Sequence, residues 1–440
     1  MINLFNHFHS AKVLILGDFM LDVYTIGKVH RISPEAPVSV LHVEEENQRP
    51  GGAGNAILNL VSLGMEVVAV GRVGNDSSGQ TLLQALANEN IDTRGIVVDP
   101  HFSTPVKNRL IAENQQMVRV DYEKITPLSK EMEEKIIERL PLLLEDVNVI
   151  AISDYAKGFV TPRLLEHLFI EASARKIPTI VDPKGSNFSK YRGATLIKPN
   201  QSEAYAAAGL PLGTPLEQVA AQIFNHTEVE FLVITRSKDG ISLFDRSLNH
   251  INFPVNIKEV KDVTGAGDTV LSMLTASMAC GLDLHMAIQL ANISAGIAIE
   301  RFGCARVSLK DVAKRLLEIN PSHKIFSESD LFVLQSLLMD QEFILLSIEA
   351  KRGFTAHLFK SIQELVKKFQ KPLLLYIRDK DADPELIQLL SSLVEVDYLL
   401  LRHEEGHVLS EHLHPKAIFA LDNQSLFQLG QLKELLSIQV

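Results

Sequence analysis

Short apolar runs that stop on a polar residue recur through the first half of the chain. VLILGD (13–18), VVAVGRVG (67–74), VNVIAISDY (147–155), IPTIVDP (177–183), TLIKPN (195–200) and FLVITRS (231–237) share this pattern. Runs of this length bounded by turn residues read as buried strands. Helical periodicity fills 129–145 and 164–176, between them. Two β-branched segments, 106–113 and 115–123, are split at Asn114 and predict a hairpin. Strands alternating with helices imply an α/β fold, a mostly parallel sheet covered on both faces. Ligands of such sheets bind at the carboxyl ends of the strands. The polar residues expected on that edge are Asp18, Asp154, Asp182, Asn200, Thr235 and Arg236.

The pattern breaks at INPSHKIFSESD (319–330), which reads as a linker. Beyond it, EFILLSIEA (342–350), a helix over 357–370, and the runs PLLLYIRD, VDYLLLRH and KAIFALD predict a second α/β domain. The expected organisation is a domain over 1–318, a linker over 319–330 and a small α/β domain over 331–440.

A length of 440 residues exceeds one ordinary domain, and 46% hydrophobic residues supply a large core. The net charge of −11 argues against a nucleic-acid groove or an anionic membrane surface as partner. It leaves room for a local anion site. Two cysteines, Cys280 and Cys304, make neither a disulfide framework nor a metal-ligand spacing, which predicts a reducing compartment. The start MINLFNHFHS lacks a signal-peptide pattern, and no long apolar run predicts a membrane span. The expected location is the cytoplasm.

The candidate chemistry centres on DVTGAGDT (262–269), followed by a small and apolar helical stretch. Gly265, Ala266 and Gly267 fall at a helix N-terminus, where unpaired N–H groups and the helix dipole make an anion hole. A carboxylate beside bound phosphate is repelled, so Asp268 makes more sense as a base. It would take the proton of a hydroxyl that attacks phosphorus. The segment is not a Walker loop, since no Gly-Lys-Ser/Thr follows, and it lacks the third glycine of the dinucleotide fingerprint. RPGGAGN (49–55) places Gly51, Gly52 and Gly54 before Asn55 and a helix. It reads equally as exposed backbone for a ligand or as a tight turn. NQSE (200–203) is either a helix cap or a site where Glu203 holds Mg²⁺ through water.

Together, Gly51-Gly52, Asn200 with Glu203, and DVTGAGD resemble the ribokinase (phosphofructokinase-B) family of sugar kinases. The variant has Val263 where that family often has threonine. GDFMLDVYTIGKVHRISPEAPVSV (17–40), RPGGAGN, NQQMVRVD, SDYAKG, VDPKGSNFSKYRGATLIKPNQSE and DVTGAGDT are similar, in order over about residues 1–315, to the kinase half of bacterial D-glycero-β-D-manno-heptose-7-phosphate kinases. The resemblance implies a three-layer α/β/α ribokinase-like fold with a β lid from 20–45 and 106–123. It implies ATP and Mg²⁺ as cofactors, a sugar phosphate as substrate, and a homodimer.

By the same resemblance, Asp268 is the base, and Gly265, Ala266 and Gly267 form the anion hole. Lys198, Asn200, Glu203, Thr235, Arg236, Gly240, Thr264 and Asn292 serve the nucleotide, with Glu203 on the metal side. Asp18, Asp22, Arg31, Gly51, Gly52, Asn55, Lys107, Arg109, Gln116, Asp154, Lys157 and Lys184 serve the sugar phosphate. Val23 and Glu113 depart from the pattern, standing where close relatives often carry arginine. In many relatives a nucleotidyltransferase-like domain follows and adds the adenylyl group through an H-x-G-H motif. Here FTAH (354–357) keeps only the last histidine, so the tail is expected to lack that activity. The alternatives are a kinase for another sugar or nucleoside, or a non-catalytic sugar-phosphate sensor.

Overall fold

The structure, a computed structural model, describes residues 8, 10–113, 115–255, 260–319, 324–327, 330–339, 341–379, 382–401, 413–422, 425–432 and 434. Asn114, read as the hairpin turn, lies outside these, as do most of MINLFNHFHS and the end of VDYLLLRH. The chain divides into two units after Ser308.

The first unit opens with strand β1 (Lys12–Gly17), the long strands β2 (Phe19–Ile32) and β3 (Ser39–Gly52), and helix α1 (Ala53–Ser62). Next come β4 (Glu66–Gly74), α2 (Ser77–Ala87), β5 (Asp92–Asp99), the hairpin β6 (Val106–Ala112) and β7 (Gln115–Tyr122), and α3 (Lys130–Leu143). Then β8 (Val149–Ser153), α4 (Pro162–Arg175), β9 (Thr179–Asp182), β10 (Leu196–Ile197), α5 (Gln201–Ala208), α6 (Leu216–Thr227) and β11 (Phe231–Thr235) complete the alternation. An antiparallel pair, β12 (Ile241–Asp245) and β13 (His250–Phe253), precedes α7 (Ala266–Ala279) and α8 (Leu284–Ile299).

A nine-stranded sheet runs β13-β12-β11-β10-β9-β8-β1-β4-β5, with β1 parallel to both β4 and β8. The inner strands β1, β8 and β11 are apolar along nearly all of their length because both faces are covered. Leu14, Leu16, Val70, Ile150 and Ile152 pack under α3 to α6. The alternate positions point the other way, toward α1 and α7. Helix α7 is therefore central, and residues Asp268 to Ser277 are all buried. A four-stranded sheet, β3-β2-β6-β7, stands apart from the main one. The apolar pattern foretold its hairpin but not β2 and β3, whose half-exposed, charged sequence carries no buried-strand run.

In the second unit, α9 (Leu309–Ile319) contacts α10 (Leu331–Leu338), and β14 (Ile325–Phe326) pairs with a later strand. The expected linker therefore contributes a strand to the C-terminal unit. The division also falls ahead of 319, since α9, which buries Val312, Ala313 and Leu316 and contacts α10, is grouped with that unit. The rest is β15 (Ile344–Ile348), α11 (Ala356–Phe369), β16 (Leu373–Ile377), α12 (Pro384–Ser392), β17 (Tyr398–Leu401), β18 (Ala417–Leu421) and β19 (Leu426–Leu429). They form a six-stranded sheet, β14-β17-β16-β15-β18-β19, parallel except for β19. Among the described residues no helix is long and apolar enough to cross a membrane.

Candidate active site

Helix α7 starts at the carboxyl edge of the main sheet. Gly265 caps it at φ 78°, a left-handed conformation that favours glycine. The first-turn N–H groups of Gly267 and Asp268 lack intrahelical partners, as in any helix start, whereas Ala266 N–H donates to the Val263 carbonyl at 3.3 Å and so does not open onto the expected anion hole. Asp268 is 3% exposed. Its Oδ2 accepts from Asn55 Nδ2 at 2.8 Å, and its Oδ1 accepts from the Tyr155 hydroxyl at 2.8 Å. Burial pushes its carboxyl up to about 7, against the lowering effect of these two donors. A carboxylate titrating near neutrality is matched to general-base work at that pH.

Beside it, Lys198 Nζ pairs with Asp182 Oδ1 at 2.9 Å, and Lys198 is fully buried. A Cβ built on Gly267 would lie 3.9 Å from both. A buried cation and a helix N-terminus thus converge on one spot, as an anion requires. Asn200 and Thr235 lie next to it, bridged in parallel register at the ends of adjacent strands. Glu203 and Asn200 form a reciprocal capping box on α5, and Glu203 Oε1 also takes Lys184 Nζ at 2.6 Å. The capping reading of NQSE therefore holds, and Lys184 stands with this carboxylate at the start of α5.

A second group of polar residues lies under the small sheet. Asp22 Oδ1 accepts from Arg109 Nη1 at 2.6 Å, both buried. The Arg109 guanidinium lies over the Tyr24 ring, 5.2 Å from its centroid. A Cβ on Gly51 would overlap Asp22 Oδ2, so glycine there allows the carboxylate its place. Gly52, at φ 57°, turns the chain into α1 and so delivers Asn55 to Asp268. Cys304 Sγ lies 3.5 Å from Asp22 Oδ2, and burial pushes its thiol up, so it stays protonated. Lys107 Nζ sits 5.7 Å over the Tyr155 ring. A cavity of about 370 Å³ opens here, lined by Arg109 and Gln116 together with Tyr24, Asn47, Arg49 and Phe302.

Other expected residues are placed differently. Asp18 and Asp154 are occupied by the loop after β8. Asp18 accepts from the backbone N–H groups of Tyr155, Lys157 and Phe159, and Asp154 takes Lys190, Tyr191 and Ala156 N–H. The Lys157 ammonium pairs with Glu123 at 2.9 Å. Arg31 lies nine residues beyond Asp22 on β2, about 30 Å of extended chain, so it does not join the cavity of its own chain. Arg236 folds back onto Asn252 and the Asp239 carbonyl, and Asn292 donates to the carbonyls of Phe253 and Pro254. Gly240, at φ 81°, is required where β12 meets Phe253. Thr264 bonds Asp262, which also accepts from Gly303 N–H. These polar groups stabilise the walls of the site. Val23 is buried in β2, and Glu113 is exposed on the hairpin turn at φ 49°.

Tyr155, Asp182 and Arg49 are the additions. Asp182 was visible as a strand-end carboxylate. Tyr155 and Arg49 stood inside quoted motifs, but a single tyrosine or arginine carries no spacing signal.

Comparison with known proteins accords with this geometry. The pfkB family carbohydrate kinase profile matches residues 10–311, and the chain belongs to that family. It is 44% identical over 312 residues to the bifunctional protein HldE of Trichlorobacter lovleyi, covering 70% of this chain and 64% of that protein's length. Phosphofructokinase-2 from Escherichia coli in complex with potassium superposes with a TM-score of 0.58 at 22% identity, over 71% of this chain and 99% of that one. Ribokinase of Arabidopsis thaliana complexed with ribose and ATP gives 0.55 at 16%, over 70% and 99%. The first unit is thus a ribokinase-like α/β fold, and the second is a separate parallel α/β sheet domain.

In that second domain a crevice of about 250 Å³ opens at the ends of β15 and β18, beside the start of α11. Thr355 caps α11 and His357 stands in its first turn. Two carboxylates, Glu349 and Asp422, share the rim.

A Cβ on Gly265 would lie 2.8 Å from Asn55 Nδ2, the donor that holds Asp268, in a backbone region alanine resists. Gly265→Ala is expected to lower kcat about a hundredfold and to lower the thermal melt through the roughly 1–2 kcal/mol that a left-handed alanine costs, as read by ADP release and calorimetry.

Proposed function

We propose that the first unit transfers the γ-phosphoryl group of ATP to the anomeric hydroxyl of D-glycero-β-D-manno-heptose 7-phosphate. The product is the 1,7-bisphosphate, on the route to ADP-heptose for the lipopolysaccharide core. The observation that carries this reading is Asp268, buried in the first turn of α7 with Asn55 and Tyr155 on its two oxygens, while Arg49 and Arg109 line the cavity under the small sheet. In the step, Asp268 takes the anomeric O–H proton as the oxygen–phosphorus bond forms. The bond from phosphorus to the β-phosphate oxygen breaks, and ADP leaves with that electron pair. The N–H groups of α7 and Lys198 face the charge of the transferring group.

Mg²⁺ fits the donor set. It is commonly held by one or two carboxylates and the substrate's phosphates, with water completing its shell. Asp182 and Glu203 are the carboxylates on this side, close enough for their charges to interact. When bound, the ion would neutralise phosphate charge. Asp22, Asn55 and the Gly51-Gly52 turn suit sugar hydroxyls, whereas Arg49 and Arg109 suit the distal phosphate. Arg49 makes no ion pair or side-chain hydrogen bond among the described residues, which leaves its guanidinium available.

The crevice in the second domain has an acidic rim and lacks the first histidine of H-x-G-H. We therefore propose that it does not transfer adenylyl groups. A homodimer formed through the small sheet accords with its exposed Val43, Met117, Val118 and Tyr122. The location that fits an ATP-dependent reaction and two free, buried cysteines is the cytoplasm.

With heptose 7-phosphate and ATP the chain should release ADP and form a product bearing the new phosphate on C1, located by phosphorus NMR. Asp268→Asn should cut turnover about 10³-fold and still bind ATP. Near-parental turnover in that variant, or preference for another sugar in a substrate panel, would overturn this assignment. Supplied with the 1-phosphate and ATP, the chain should release no pyrophosphate. Arg49→Ala should raise KM for the phosphorylated sugar about tenfold at little cost in kcat. In sedimentation at micromolar concentration the chain should run as a dimer, and a monomer would refute the pairing.

A further inference from the structure

The loop 154–159 is fixed by two carboxylates. Asp18 Oδ2 accepts from Tyr155 N–H at 2.9 Å and Lys157 N–H at 3.0 Å, and Oδ1 accepts from Phe159 N–H at 3.3 Å. Asp154 Oδ1 accepts from Ala156 N–H at 2.7 Å, and its Oδ2 is held by the Tyr191 hydroxyl at 2.7 Å. Between them Ala156 sits at φ 55°, a conformation costly for a residue with a Cβ and sustained here by these bonds. What this braced loop presents to the reaction centre is one group, the Tyr155 hydroxyl, 2.8 Å from Asp268 Oδ1.

That hydroxyl is a donor at any working pH. Burial, reinforced by the neighbouring Asp268 charge, pushes its own ionisation well above the ordinary phenol value. Donation to a carboxylate favours the ionised form, whereas burial favours the neutral one. Asn55 on Oδ2 and Tyr155 on Oδ1 also fix the plane of the carboxylate, and each oxygen keeps capacity for a further hydrogen bond.

We propose that Tyr155 is a positioning residue of the transfer step. It keeps the Asp268 carboxylate ionised and aimed at the incoming hydroxyl, and Asp18 acts through it by fixing its loop. The proposal rests on Asp268 being the base. The groups facing Asp268 from the surrounding elements are few. Asp182 at the end of β9 and Lys198 after β10 are paired with each other. Cys304, beyond α8, is a protonated thiol. Helix α1 offers the neutral Asn55, and Asp18, after β1, is engaged by the loop. Helix α8 carries only His285 as a titratable group, packed against Phe253. Tyr155 is therefore the donor whose removal changes the base and leaves the charges around it in place.

Tyr155→Phe keeps the ring and deletes the hydroxyl. The acid limb of kcat/KM, corrected for ionisation of the substrates' phosphates, should move up by about one pH unit. Activity should then fall about tenfold below the limb and approach the parent's above it, with ATP binding unchanged and the native fold retained by circular dichroism. A direct readout does not depend on activity. In the free full chain labelled with ¹³C-carboxyl aspartate, the Asp268 signal, identified by its loss in Asp268→Asn, should titrate higher by the same amount. Asp18→Asn should shift it in the same direction. An unmoved Asp268 titration in folded Tyr155→Phe overturns the proposal, whichever sugar is the substrate, and an unmoved titration in Asp18→Asn overturns the part given to Asp18. A shifted titration in a protein inert toward heptose 7-phosphate would instead overturn the substrate assignment and uphold this one.

Discussion

The structure of the first unit turns on one buried carboxylate. Asp268 is taken out of water at the start of a central helix, which by itself favours its neutral form. Two hydrogen bonds from opposite sides offset that cost, Asn55 from α1 and Tyr155 from the loop after β8. The three residues lie far apart in the chain, so a base titrating near neutrality exists only once the whole sheet has assembled. Around it, Lys198 and Asp182 close their charges on each other and place a cation under the helix N-terminus without leaving net charge buried.

A parallel sheet explains why these groups meet. All of its parallel strands send their carboxyl ends to one edge, and β1, β8, β9, β10 and β11 end there in Asp18, Asp154, Asp182, Lys198 and Thr235 or just before them. Two of these are already engaged: Asp18 holds the loop after β8, and Asp154 holds Ala156 N–H with one oxygen and Lys190 and Tyr191 with the other. The small sheet supplies the other wall, where Asp22 and Arg109 face each other across neighbouring strands. The main sheet gathers the buried Asp182–Lys198 pair, and the small sheet brings Arg109 and Asp22 to the cavity wall.

Much of this was legible in the chain. The apolar runs located β1, β4, β8, β9 and β11, and the Gly-Ala-Gly-Asp turn located the helix start with its carboxylate. The strands β2 and β3 came from the family resemblance and not from periodicity, because Asp22, Lys28 and Arg31 interrupt β2 and Glu44 to Glu46 lie in a largely exposed β3, which leaves no continuous apolar run. The boundary after Ser308 was missed for a related reason. A polar stretch with a proline looks like a linker, yet Ile325–Phe326 pairs within the second sheet and α9 buries a narrow apolar face. Among site residues, type was read well and purpose less well. An aspartate at a strand end is visible, but whether it faces a ligand or a ring of backbone N–H groups depends on the loop that folds over it.

By itself the sequence determined the alternation of strands and helices, the polar residues at the strand ends, and the glycine turn at a helix start with its acid. These follow from periodicity and from the backbone needs of glycine, both local properties. Only the tertiary structure decided that Asn55 and Tyr155 grip Asp268, that Asp22 engages Arg109, and that Arg31 stands at the far end of its strand. Those relations join residues distant in sequence, and their energies come from burial and hydrogen-bond geometry, which exist only after the chain has closed on itself.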